Sequence, residues 1–337
     1  MVPRPTPGRR RGFAAVGALA LFAALIATAA APARGAGPAD AYPERPVQLV
    51  VPAGPGSSTD TIMRALAQSA APLLGQPLVI LNKPGASGTI GVSFVTRSEP
   101  DGYTIGGVPS GAITMAPHVA AQSFAASDYR IVAMITRAAG VLCVRPDFPA
   151  KTATEFLTEL RNNPDKYTYG SDGVGAFVQF STARIFQPAG IRQRIIPFSG
   201  ADQTVTAFLA GTIDIYGGAI ATIAQFAGEG KAKCLLLTTA QRSKTLPEVE
   251  SLDDIRMGAA QTLLWRAVIA PRDIPQDRFD KLREALLRAA ATEEFKTLAG
   301  KRGEEVWVIS AEDAAKHATG EFTEMEQLAK LLQLKPN

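Results

Sequence analysis

Residues 48–67, QLVVPAGPGSSTDTIMRALA, run from an apolar stretch straight into a glycine- and hydroxyl-rich turn and on into apolar residues at helical spacing. Leu49, Val50 and Val51 read as a buried strand, and Ile62, Ala65, Leu66, Ser69 and Leu73 fall on one helical face, so 52–59 must be the turn. Such a turn constrains both fold and chemistry. The first N–H groups of a helix have no partner inside it, and the helix dipole adds about half a positive charge at that end. A carboxylate or phosphate satisfies both.

The pattern recurs along the chain. Residues 78–81 read as a second strand, and the loop NKPGASGTIG (82–91) leads into a helix carrying Val92 and Val95. A third strand, 103–108, ends at Pro109, Ser110 and Gly111. This βαβ succession predicts an α/β fold with open, largely parallel sheets flanked by helices. Residues 129–144 read as extended and apolar, interrupted at 137–140, before Pro146 and Pro149 break the chain.

Beyond that break the pattern starts again. Thr152 and Glu155 form a capping box opening a helix to about residue 162. Strand 167–170 ends in SDGVGA; strand 194–197 leads through Phe198, Ser199 and Gly200 into a helix reaching 209; a further strand spans 213–216. Residues 234–238 read as the return strand, followed by strand 263–270, a long helix with Pro275 at its N1 position, strand 305–309 and a final helix capped by Ser310. A chain that leaves one lobe and returns to it crosses twice, which makes a two-strand hinge. The expected lobes are 42–144 with 234–337, and 145–233. Ligands of open α/β sheets bind beyond the C-terminal strand ends, so loops 52–60, 82–91, 109–111 and 171–176 are expected to meet at the cleft.

Of 337 residues, 46% are hydrophobic and 20% charged, which suits two lobes of ordinary size. Residues 1–33 stand apart: Arg4, Arg9, Arg10 and Arg11 precede an apolar stretch over 13–31 and then small residues in A-x-A patterns. That is a secretory signal peptide, followed by a Pro- and Ala-rich linker to residue 41. The rival reading, a membrane anchor, is disfavoured because the stretch is rich in Ala rather than Leu and runs into cleavage sites. The Arg10-Arg11 pair leaves the secretory and twin-arginine routes open, but either exports the chain to the periplasm. Those four arginines account for the whole formal charge of +4, so the exported chain is neutral and loses the main support for nucleic-acid binding.

Two cysteines, Cys143 and Cys234, sit in apolar runs where a buried thiol acts as a small hydrophobe. Free thiols are expected ahead of a bridge, although the destination permits disulfides. There is neither a CxxC pair nor zinc-ligand spacing.

The loop PAGPGSST supplies Gly54 and Gly56 for close backbone approach and the hydroxyls of Ser57, Ser58 and Thr59, with Asp60 placed to cap or orient. By itself such a turn is as readily a helix cap on Ser58 or Thr59, worth about 1 kcal/mol. Its repetition favours a ligand site. A dinucleotide fingerprint fails because Thr59 replaces the third glycine and Asn82-Lys83 stands where an acid is needed, and no P-loop lysine follows. His118 and His317 have no evident serine and acid partners and are expected to face solvent, as are the pairs Asp253-Asp254 and Glu304-Glu305. Asp172, Asp202 and Asp214 fall near the expected cleft, with a strand-end turn the favoured reading of Asp214. The inventory points to a binding protein needing neither metal nor cofactor, not to an enzyme.

Taken in order, YPERPVQLVVPAGPGSSTD, NKPGASGTIG, PDGYTI, SDGVG, IPFSGADQTVTAFLAGTIDI and TTAQRSKTLPEV resemble the Bug family, the substrate-binding receptors of tripartite tricarboxylate transporters. The resemblance runs from residue 42 to the C-terminus. It implies a two-lobed, type II-like periplasmic-binding-protein fold, a small organic acid as ligand, and delivery by a monomeric receptor to a permease of one large and one small membrane subunit. The alternative partner is a membrane sensor kinase, and a nucleotide-dependent enzyme is a more distant reading.

Carried over, the family's first carboxylate loop falls on 52–60. Its second-lobe loop falls on Ser171, Asp172, Gly173, Gly175 and Ala176, followed by Gln179, and its aromatic-glycine element on Phe198 to Gly200. Departures matter: Ala53 replaces a usual aromatic, Ser57 and Ser58 replace glycines, Ala176 a hydroxyl residue, Gln179 a frequent His, Phe198 a Tyr, and Ser199 a frequent basic residue. With a hydroxyl, a phenol and a positive charge gone, the expected ligand is a monocarboxylate, amino acid, aromatic acid or amide ahead of a tricarboxylate.

Overall fold

The structure is a computed structural model describing residues 42–334; the expected signal peptide and linker lie outside the described residues. The first sheet is built from β1 (Val47–Val51), β2 (Leu78–Asn82) and β3 (Thr104–Pro109), mutually parallel with β1 in the middle. β9 (Leu263–Pro271) runs antiparallel to β3, and the first part of β4 (Tyr129–Val144) runs antiparallel to β9. β10 (Glu304–Val306) adds along the same part of β4. The second sheet holds β5 (Thr168–Ser171), β6 (Arg194–Pro197) and β7 (Ile215–Ala219), parallel in the order β6-β5-β7, with β7 and β8 (Lys233–Leu237) antiparallel to the end of β4.

β4 therefore belongs to both sheets. Its 16 residues pair with β9 as far as Ala139 and with β7 from Gly140 onward. Gly140 marks the changeover, and a Cβ there would come within 2.8 Å of the Phe177 ring and 2.9 Å of Thr238 Oγ1. Residues 234–238, read above as the return, instead pair with β4 inside the second sheet; the chain rejoins the first at β9. The misreading has a simple cause: an apolar strand carries no mark of which sheet receives it.

The helices follow the periodicity. α1 (Ser58–Leu74) buries Ile62, Met63, Leu66 and Ala70 against β1 and α8 (Gln276–Ala290), each large side chain contributing about 1.5–3 kcal/mol. It is capped by Ser57, one residue earlier than expected, and ends at Gly75 in the left-handed conformation. α2 (Thr89–Thr96), α4 (Ala153–Asn162, capped by Thr152) and α6 (Ala201–Leu209) lie where the sequence puts them. α5 (Phe177–Phe186) follows the SDGVGA turn, and α3 (Ser110–Thr114) is a single short turn after β3. α7 (Ile220–Gly228) was not read from the sequence. The long helix after Pro275 is two, α8 and α9 (Glu293–Lys301), because Thr292 caps the second.

The last helix, α10 (Ala311–Leu331), ties the halves together: Ala314 and Ala318 enter a core beside the first sheet, and Met325 and Ala329 enter the core of the second.

Four expectations about single residues are overturned. Cys143 and Cys234, opposite each other on β4 and β8, form a disulfide rather than two free thiols. His118 is buried, its ring 4.3 Å from that of Phe322, and His317 is half-buried between Trp265 and Trp307. Burial holds both imidazoles below their ordinary pKa. Glu304, expected on the surface, is buried in an ion pair with Arg266.

Candidate functional site

Seen from its ends, the parallel part of each sheet delivers its turns to one place. A cavity of about 630 Å³ is lined by residues 52–59 after β1, Pro84, Gly85, Ser87 and Gly88 after β2, and Pro109, Gly111 and Ala112 after β3. Opposite them lie Asp172, Ala176 and Phe177 after β5, Ser199 to Gln203 after β6, and Ala219, Ala221 and Thr222 after β7. All four loops expected to converge contribute, because each sits at the C-terminal end of a parallel strand.

Among the helices that begin at this cavity are α1, α5, α6 and α7. α1 is capped by the Ser57 hydroxyl, which accepts from Asp60 N–H at 3.2 Å. The cap positions of α5, α6 and α7 are Ala176, Gly200 and Ala219, and none supplies a side-chain cap. The first-turn N–H groups of a helix have no acceptor within it, so these ends add donors and partial positive charge to the wall, apart from Val178 N–H of α5, which reaches the Asp172 carboxylate.

Beneath the first turn of α1 lies a buried polar network. Arg266, 1% exposed on β9, presents Nη1 to the Glu304 carboxylate. Its Nη2 donates to Ser58 Oγ at 2.9 Å and its Nε to Thr59 Oγ1 at 3.3 Å. Ser58 Oγ donates in turn to Glu304 Oε1 at 3.0 Å, and Thr136 Oγ1 to Oε2 at 2.7 Å. Burial pulls the Arg266 guanidinium below its ordinary pKa while the Glu304 charge opposes that shift. The Ser58 hydroxyl proton is thus spent inside the protein, whereas the Ser57 and Thr59 hydroxyls act as acceptors in their bonds and keep their protons.

The remaining sequence-derived candidates divide cleanly. Ala53, Gly54, Gly56, Ser57, Ser58, Thr59, Asp172, Ala176, Ser199 and Asp202 line the cavity. Asp60 does not: it is 2% exposed and turned inward, where its carboxylate accepts from Gly56 N–H, Arg64 Nε and Asn82 Nδ2 at 2.8–2.9 Å. It shapes the loop from behind. Ser110 is buried while its neighbours Pro109 and Gly111 reach the cavity. Ser171 Oγ donates to Gly173 O at 2.7 Å, and Gln179 Oε1 accepts from Gly175 N–H at 2.7 Å, so these four residues close the SDGVGA turn on itself. Phe198 packs into the second sheet's core, and Asp214 accepts from Thr168 N–H and Oγ1 at 2.8 Å, the strand-end turn favoured for it.

Sequence reasoning missed Arg266, Arg302, Thr222 and Leu264, which also line the cavity. Arg266 left one signal. A charge inside the apolar run LLWRAVIAP must be paired if the run is buried.

Two mixed sheets sharing one long strand, with a cavity at the convergence of their loops, define the periplasmic-binding-protein fold. The chain belongs to the tripartite tricarboxylate transporter family receptors, whose sequence model matches residues 62–334. A UPF0065 protein of Bordetella pertussis is 31% identical over 304 residues, 88% of this chain and 93% of that one. Among solved structures, the periplasmic binding protein BugD is similar with a TM-score of 0.80 at 27% identity, covering 88% of this chain and 100% of that one. MatC from Rhodopseudomonas palustris with bound malate has a TM-score of 0.79 at 26% identity, covering 85% and 99%. The family read from the motifs is the family the chain belongs to, and it is one of solute receptors. No helix among the described residues is long and apolar enough to cross a membrane.

Proposed function

We propose that the chain is a periplasmic receptor that closes on one small organic acid in the cavity between its sheets and hands it to a tripartite permease. The convergence of helix N-termini on that cavity, those of α6 and α7 without side-chain caps, carries the reading. The malate held by MatC, a relative at 26% identity, supports an organic acid as the class. A monocarboxylate, amino acid, aromatic acid or amide fits better than a tricarboxylate, since Glu304 offsets Arg266 and Asp172 and Asp202 add negative charge to the lining.

In this reading the lobes are the two sheets with their helices, hinged on β4 and the 238–263 segment, and residues 1–33 direct export. Ligand that touches both lobes only when they are closed shifts the population toward the closed form, and that form is what the permease recognises. The receptor acts as a monomer. Titration calorimetry of the purified chain against mono-, di- and tricarboxylates and amino acids tests the proposal, with small-angle scattering on the same samples. Micromolar binding of one acid class with measurable compaction is the expected result; no binding by any acid would sink it.

A further inference from the structure

The Asp172 carboxylate has no counterpart in the cavity it lines. Its Oδ1 is closed to solvent and has no hydrogen-bond partner. The backbone N–H groups of Asp172 itself and of Val178 reach the carboxylate, and among the described residues no basic side chain is paired with it. The titratable groups that sense its charge are the phenols of Tyr169 and Tyr216. The Tyr169 hydroxyl is bonded to Val178 O at 2.8 Å and Thr182 Oγ1 at 2.9 Å, and the buried Tyr216 hydroxyl has no partner. A buried acceptor without a donor is costly, and one beside a cavity is completed by a water or by the ligand that fills the cavity. Burial pushes this carboxyl up to about 6, so it is ionised at neutral pH and gains most from a donor that carries positive charge.

The other charges of the cavity point the same way. Arg266 is already neutralised by Glu304, and Asp202 stands on the first turn of α6 in the same lining. With Arg302 as the remaining cation of the lining, Arg266, Arg302, Glu304, Asp172 and Asp202 sum to a formal charge of −1. A ligand with only negative groups deepens that imbalance, whereas one with a carboxylate and an ammonium does not.

We propose that the ligand carries a protonated amine beside its carboxylate, and so is an amino acid, with Asp172 accepting from the ammonium group while the helix N-termini hold the carboxylate. This rests on the cavity being an organic-acid site, and it adds the amine.

The test is calorimetry of the purified chain with the twenty L-amino acids. Each amino acid that binds is compared with the 2-hydroxy acid and the unsubstituted acid of the same skeleton. The amine is expected to bind at least tenfold more tightly than either, about 1.4 kcal/mol. Asp172→Asn, which keeps the shape and removes a negative charge from the lining, is expected to remove at least tenfold from the amino acid and to bind the unsubstituted acid no more weakly than the wild type does. Wild-type affinity for the amino acid is expected to fall as pH drops through about 6, a readout that stands even if the variant does not fold. A hydroxy or unsubstituted acid that binds as tightly overturns the amine and leaves the acid receptor in place. Failure of every acid and amino acid to bind the folded chain overturns both.

Discussion

Arg266 on β9 and Glu304 on β10 form an ion pair closed to solvent directly below the first turn of α1. The pair is the floor on which the cavity's principal turn rests. Removing one partner leaves the other buried and uncompensated, which costs about 3–5 kcal/mol. Glu304→Ala is therefore expected to lose stability of that order in urea unfolding. A loss below about 1 kcal/mol would show that water reaches the guanidinium.

Asp60 fixes the same turn from behind. Burial raises its pKa, but hydrogen bonds from Arg64, Asn82 and Gly56 together hold it below the ordinary value of 3.8. A carboxylate with a depressed folded pKa stabilises fully above its unfolded pKa and loses that contribution as pH falls through the folded one. Asp60→Asn, whose amide opposes three donors, is expected to cost about 2–3 kcal/mol at pH 6 and clearly less at pH 3. Equal losses at the two pH values would contradict the assignment.

Glu321 on α10 behaves in the opposite sense. Its carboxyl takes hydrogen bonds from Trp265 Nε1 and Thr114 Oγ1, both at 2.9 Å, yet burial outweighs them and pushes it up from 4.5 to about 7. The folded chain holds a proton here that the unfolded chain releases, so its stability falls as pH rises from about 4.5 to about 7. Over that window Glu321→Gln is expected to gain on the wild type by roughly 2–4 kcal/mol, at about 1.4 kcal/mol per pH unit. Unfolding free energies at pH 5, 6, 7 and 8 check it, and parallel curves would refute it.

The Cys143–Cys234 disulfide joins neighbouring strands of the second sheet. Replacing both cysteines by serine is expected to lower stability by about 2–5 kcal/mol. Non-reducing peptide mapping should recover the two cysteine peptides as one species. Recovery of two alkylated peptides from unreduced protein would return both residues to free thiols.

How much of this was legible follows from what each residue interacts with. The strand-turn-helix alternation shows in the sequence because it is a local property of apolar spacing, and the meeting of loops 52–60, 82–91, 109–111 and 171–176 follows from parallel strands ending on one side. Arg266 and Glu304 were opaque because each is explained only by the other, and the chain that brings them together is a sheet register no short window contains. Asp60 was misplaced for a related reason: a carboxylate at a helix start looks alike whether it faces the ligand or Asn82. His118 lost its expected exposure to Phe322, a neighbour from the last helix. The bridge between Cys143 and Cys234 depended on β8 pairing with β4, the one strand assigned to the wrong sheet.

β4 also sets the mechanics of the molecule. A strand held along its whole length by partners on both sheets cannot swivel as a loop does. The closure proposed above would be absorbed as torsion around Ala139 and Gly140, where the partners change. Gly140 N–H and C=O are tied to Thr238 at 3.0 Å and 2.9 Å, and α10 adds a second strap across the gap. In the proposed closure the strand therefore acts as a torsion spring rather than a free joint: short travel, a defined rest position, and strain imposed at one end passed to the other.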